Sequence, residues 1–82
     1  MAQVIAVQAD FREASLCEVS FEAANLMRAN FTGADLRGTN FEEAQLEGAC
    51  FDQCNVRGAL FGDATGLTRL QRRSLKQRGA II

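Results

Sequence analysis

The sequence predicts an all-β solenoid, a four-sided parallel β-helix that turns a corner every five residues, closed at its C-terminal end by an α-helix. Three observations carry that prediction. From Ala9 the chain reads in eleven uninterrupted blocks of five, and the third residue of every block is large and apolar. The first residue is small or slim, Ala in eight of the eleven blocks and otherwise Val19, Thr39 and Cys54. All six Phe fall at third positions with a spacing of ten, from Phe11 to Phe61. A period of five matches neither the turn of about 3.6 residues of an amphipathic helix nor the two-residue alternation of a half-buried strand. It fits a chain that bends at regular corners. Four blocks closing a square give a coil of roughly 20 residues, and repeats with such periods stack as solenoids.

Residues 1–8 come first, and Val4 to Val7 have β character. Extending the frame backward puts Val4 in the small slot and Ala6 in the large one, with Ile5 and Val7 pointing outward. This segment is a degenerate leading repeat or a strand that covers the first coil. The body, residues 9–65, makes nearly three coils. Residue n stacks under n+20, so Phe11, Phe31 and Phe51 form one interior column and Phe21, Phe41 and Phe61 the opposite one. Leu16, Leu36 and Val56 form a third column, Leu26 and Leu46 the fourth. A coil spacing of about 4.8 Å suits offset stacking of the rings. First positions share a tight cross-section that a large residue would overpack. Cys54 there reads as a small buried hydrophobe. Second, fourth and fifth positions are mostly polar and face water. Asn25, Asn30, Asn40 and Asn55 are expected at corners, because Asn tolerates a bent backbone and bonds locally.

Residues 66–82 break the period. Thr68 and Gln71 have capping-box spacing, and Leu67 precedes the cap. The pattern predicts a helix over 69–78 with Leu70 and Leu75 on a narrow apolar side, laid over Phe51, Val56 and Phe61. Gly79 is placed to stop it. Ala80, Ile81 and Ile82 follow as an apolar tail.

The blocks resemble the pentapeptide-repeat family, whose repeat is approximately A-(D/N)-L-x-x, over residues 9–65. The resemblance implies a right-handed quadrilateral β-helix with the first and third residues inside. It implies no one activity, since the repeat is a scaffold signature. The family's best-known branch consists of proteins that look like duplex DNA and bind DNA gyrase, with a terminal helix region that can mediate dimerisation. This sequence is shorter, has no loop insertions between coils and is only modestly acidic, so a gyrase-binding DNA mimic of the quinolone-resistance type is the alternative and not the leading reading.

Charge and composition narrow the function classes. The net charge is −1, but residues 1–66 carry ten acids and four arginines whereas residues 67–82 carry five bases and no acid. There is no His, and no Gly-rich loop precedes the helix. The reading is therefore non-enzymatic, with no cofactor and no metal. The three cysteines form no C-x-x-C pair and are odd in number, which favours a reducing compartment over a disulfide framework. The N-terminus lacks a basic region ahead of its short apolar run, and no stretch reaches the length of a membrane span. A bacterial, cytoplasmic protein is expected. Stacking brings Glu22, Glu42, Glu43 and Asp63 to one side with no base among them, the candidate interaction surface for a protein partner. The neighbouring face, with Arg37 and Arg57 beside Glu18 and Asp35, is mixed. The basic helix lacks aromatics for base stacking and reads as a lid, not a direct nucleic-acid contact. The less covered N-terminal end, or the Ile81–Ile82 tail, is expected to serve self-association into a homodimer, or a partner contact.

Overall fold

A computed structural model describes residues 4–82. The corner is its elementary unit. At the end of the blocks the N–H of the next first residue bonds the carbonyl of the third, as in Ala14 N to Phe11 O at 3.1 Å, except after Phe51, whose carbonyl takes the Cys54 thiol instead. The fifth residue has positive φ, between 57° and 61° at the eight non-glycine corners. A three-bond reach with positive φ at the third turn residue is the type II turn. Non-glycine residues in this region carry backbone strain. At six of the eight, from Gln8 to Glu43, it is opposed by an inter-coil bond, since the fifth N–H reaches the fourth carbonyl of the next coil, as in Glu13 N to Thr32 O at 2.9 Å.

Between corners, the second residue bridges in parallel to the residue 20 further on, from Ile5 with Asn25 to Gln45 with Thr65. Each side is thus a minimal β-segment, and four sides make a coil: residues 4–23, 24–43 and 44–63 form coils 1, 2 and 3. Residues 4–8 run in the same frame as the body. We designate the sides by their coil 1 bridge residues: I (Ile5), II (Asp10), III (Ser15) and IV (Ser20). The asparagines expected at corners sit instead at these bridge positions, mid-side. Their local bonding is what survives of the expectation. Asn25, Asn30, Asn40 and Asn55 each accept the N–H of the fourth residue, at 2.8–3.3 Å, and so fasten the chain as it enters the corner.

The interior fills as stacked columns. Phe11, Phe31 and Phe51 lie parallel with ring centroids 5.0 and 5.2 Å apart. Phe21, Phe41 and Phe61 do the same at 5.5 and 5.0 Å. The two columns meet edge to face, with interplanar angles of 68–86°, so every ring in the middle of the stack has both geometries that aromatic quadrupoles favour. First-position residues are buried from Ala24 onward. Thr39 is the polar one among them, and its hydroxyl donates to Leu16 O at 2.8 Å, which satisfies the group that burial would otherwise penalise. Cys54 is buried, with its thiol on Phe51 O.

The solenoid leaves its frame at Gly66. The repeat would place a large side chain there, but φ is +88° and a Cβ would lie 2.4 Å from Glu47 N, so only glycine fits. Helix α1 (Arg69–Gln77) follows, with the reciprocal Thr68–Gln71 capping box in place at 3.0 Å for both bonds. Leu75 is buried over the last layer, but Leu70 is 76% exposed, so the expected two-leucine stripe is a single anchor. The reason is that polar groups do the rest of the docking. Gln71 Nε2 donates to Ala49 O at 2.9 Å and Arg78 Nη1 to Cys54 O at 3.2 Å, satisfying upward-facing first-position carbonyls of coil 3. The tail takes up another. Ile81 bridges Leu60 in parallel, Ile81 N donates to Ala59 O at 2.8 Å, and Ala80 is buried. The tail is therefore an edge segment laid along side IV, although Ile81 and Ile82 keep exposed side chains.

Candidate functional site

Corners present the outward chemistry, because the fourth and fifth residues leave the wall there. The corner between sides IV and I carries Glu22, Glu42 and Gly62 at fourth positions, and Ala23, Glu43 and Asp63 at fifth positions. The structure thus gathers Glu22, Glu42, Glu43 and Asp63 on one ridge. Glu22, Glu43 and Asp63 are exposed and Glu42 is half-buried. Gly62 makes room for it: a Cβ at Gly62 would come within 3.2 Å of Glu42 Oε2. Ser20 Oγ and Asn40 Oδ1 accept the N–H groups of Glu22 and Glu42, at 3.4 and 2.8 Å, and hold both at fixed heights. Among the described residues, no ion pair involves any of the four.

The basic residues lie elsewhere and are partly used. Arg12 is bidentate on Asp10, with bonds of 2.9 and 2.8 Å. Arg37 forms the same fork on Asp35 at 2.9 and 2.7 Å, and its Nη2 also lies 3.6 Å from Cys17 Sγ. Hydrogen bonding to Arg12 pushes the Asp10 carboxyl down to about 2. Bonding to Arg37, with a smaller contribution from Cys17, holds Asp35 lower still. A general acid needs its pKa raised toward neutrality, so these two carboxylates are shifted in the wrong direction for that role. Burial raises the Cys54 thiol, which makes it a poorer nucleophile. No set of three His, Cys, Asp or Glu side chains among the described residues could hold a metal ion.

One feature gave no signal in the repeat. A groove of about 200 Å³ runs between α1 and coil 3, lined by Phe51, Asp52, Leu70, Ser74 and Arg78 among others. It depends on how the helix settles, which the period-five pattern cannot encode. Its volume falls below the range of roughly 300–1,000 Å³ typical of small-molecule sites.

A family-model match agrees with the repeat geometry. The family model "Pentapeptide repeats (8 copies)" matches residues 2–33 and 24–63. A solved structure to which the chain is similar is that of a pentapeptide repeat protein from the Arabidopsis thaliana thylakoid lumen. It is 35% identical over 89% of this chain and 62% of that one, with a TM-score of 0.45. This chain spans less than two thirds of that protein. No curated protein matches the sequence. Among the described residues, no helix is long and apolar enough to cross a membrane.

Proposed function

The chain belongs to the pentapeptide-repeat family, and from that membership and the ridge geometry we propose that it is a non-enzymatic scaffold that presents an acidic ridge to a basic protein partner. Membership brings with it a right-handed β-helical solenoid, whose stacked Phe columns make the wall rigid. The observation that carries the reading is the ridge itself, four carboxylates with no base among them and no ion pair to any of them among the described residues. A fixed array of like charge speeds encounter with an oppositely charged surface and sets its orientation. Three free thiols fit a reducing, cytoplasmic setting, whereas the similar plant protein is lumenal. The basic helix supports the lid reading over a nucleic-acid contact, because Arg72 and Arg78 are partly buried and Arg78 is engaged by Cys54 O.

The test compares the native chain with a variant carrying Glu22→Gln, Glu42→Gln, Glu43→Gln and Asp63→Asn. Both are immobilised and exposed to lysate of the source cells at low and high salt. The reading expects a basic protein retained by the native chain and released by salt, with retention reduced about tenfold or more in the variant. The same proteins captured equally by both chains would refute it.

A further inference from the structure

Among the described residues, the two ends of the solenoid differ in the backbone groups that find partners. At the C-terminal end, Gln71, Arg78 and the Ile81 N–H close carbonyls of coil 3. At the N-terminal end the pattern of bonds leaves specific groups pointing outward. Every bridge residue of coils 2 and 3 directs both its N–H and its C=O at the coil before it. Asn25 shows this, with its N–H on Val4 O and its carbonyl accepting from Ala6 N, both at 2.8 Å. Ile5, Asp10, Ser15 and Ser20 stand in the same orientation in coil 1, and among the described residues none of their N–H or C=O groups has a backbone partner. Beneath them the first layer is incompletely covered. Phe11 and Leu16 are only half-buried where Phe31 and Leu36 are fully buried, and Ile5 is 78% exposed.

A residue that presents N–H and C=O together is what a hydrogen-bonded antiparallel pair requires, since two such residues exchange both bonds. Two copies related by a two-fold axis across this end would meet with antiparallel sides, so each of the four bridge residues finds a partner of the same kind. Four registers satisfy the axis. One sets Asp10 on Asp10 and Glu18 on Glu22. A second sets Glu13 on Glu22. A third pairs Arg12 with Glu13 but places Val7 on Glu18 and Ile5 on Ser20. The fourth keeps sides I and III on the axis. It pairs Ile5 with Ile5, Ser15 with Ser15, Asp10 with Ser20, and Arg12 of each copy with Glu18 of the other, and it brings no like charges together. Arg12 uses Nε and Nη2 on its own Asp10, which leaves Nη1 for that contact.

We propose that the N-terminal end of the solenoid is a self-association surface, and that its occupant is a second copy of this chain, joined end to end by antiparallel pairing in the Ile5–Ile5, Arg12–Glu18 register. The interface is isologous, so it closes at the dimer. An end roughly 20 Å across buries on the order of 400 Å² per copy, about half of a standard interface, so the dimer is weak. The surface meets the acidic ridge only at its coil 1 end, where Ser20 holds Glu22, and the proposal does not rest on what the ridge binds.

Sedimentation velocity of the full chain over about 10 μM to 1 mM tests this, because a weak interface populates only at the upper end. The native chain is expected to shift from monomer to dimer mass across the range. Ile5→Lys and Arg12→Glu should each weaken association about tenfold or more by placing like charges in contact. Arg12→Glu combined with Glu18→Arg should restore it, a rescue that the register pairing Arg12 with Glu13 does not give. Leu70→Lys, on the exposed helix, should leave it unchanged, and circular dichroism verifies the fold of each variant. A native chain monomeric throughout, association insensitive to Ile5→Lys, a failed charge-swap rescue, or loss of the dimer in Leu70→Lys would each overturn the proposal.

Discussion

Asp10 and Asp35 have the same design, a second-position carboxylate gripped by the arginine two residues later. In both, the arginine is the main cause of a lowered pKa, to about 2 at Asp10 and further at Asp35. The sign of the linkage follows. A carboxyl depressed in the folded state contributes stability that is present above its unfolded pKa, near 3.8, and is lost as pH falls through the folded value. The melting temperature is therefore expected to decline between about pH 4 and pH 2, and Asp10→Asn with Asp35→Asn should flatten that decline. Both pairs are at the surface, so the difference is small and shrinks with added salt. Parallel pH profiles for the native and doubly substituted chains would show that these forks hold nothing. At this scale the sequence was legible where a slot is defined by volume: the small first residues and large third residues face inward as the period requires. It was less legible for Asn. Local bonding and a bent backbone are both properties of that residue, and composition cannot say whether it occupies the corner or, as here, the bridge position before it.

The helix shows how far element-level signals reach. Its start was legible in full, because a capping box is a local hydrogen-bond pattern that spacing alone specifies, and Thr68 and Gln71 form it. Its docking was not, because a leucine's burial depends on which part of coil 3 it meets. Both leucines line the groove, but Leu75 is buried in the core whereas Leu70 stays exposed at the rim. This distinction is measurable. Leu75→Ala removes a fully buried side chain and should cost about 2–5 kcal/mol in a denaturant titration, whereas Leu70→Ser should stay within about 0.5 kcal/mol. Equal losses would mean that both leucines pack. The tail adds a second lesson. Ala80 and Ile81 carry no repeat signature after the helix, yet they pair with side IV, because an unpaired edge there accepts any extended segment that can reach it.

For the whole molecule, the arrangement of charge separates scaffold from DNA mimic. Duplex DNA carries a negative charge about every 1.7 Å along its axis, on all sides. Three coils at about 4.8 Å each cover only roughly 15 Å of axis, which in DNA would hold about eight or nine charges. Here residues 1–66 hold ten acids against four arginines, and the cap adds five bases at one end. Two of the acids are neutralised by their own arginines, and four of the others lie on a single ridge. A surface that is acidic along one corner and mixed around the rest presents a stripe and not a rod of uniform potential. Joining two copies through their N-terminal ends would double the length without removing that asymmetry, and would put a basic cap at both tips. The purified chain is accordingly expected to leave DNA supercoiling by gyrase unchanged up to about 100 μM, a concentration at which even a weak competitor would register. Inhibition below that level would mean that one acidic ridge suffices for recognition, and the ridge variant would then show whether the same four carboxylates carry it.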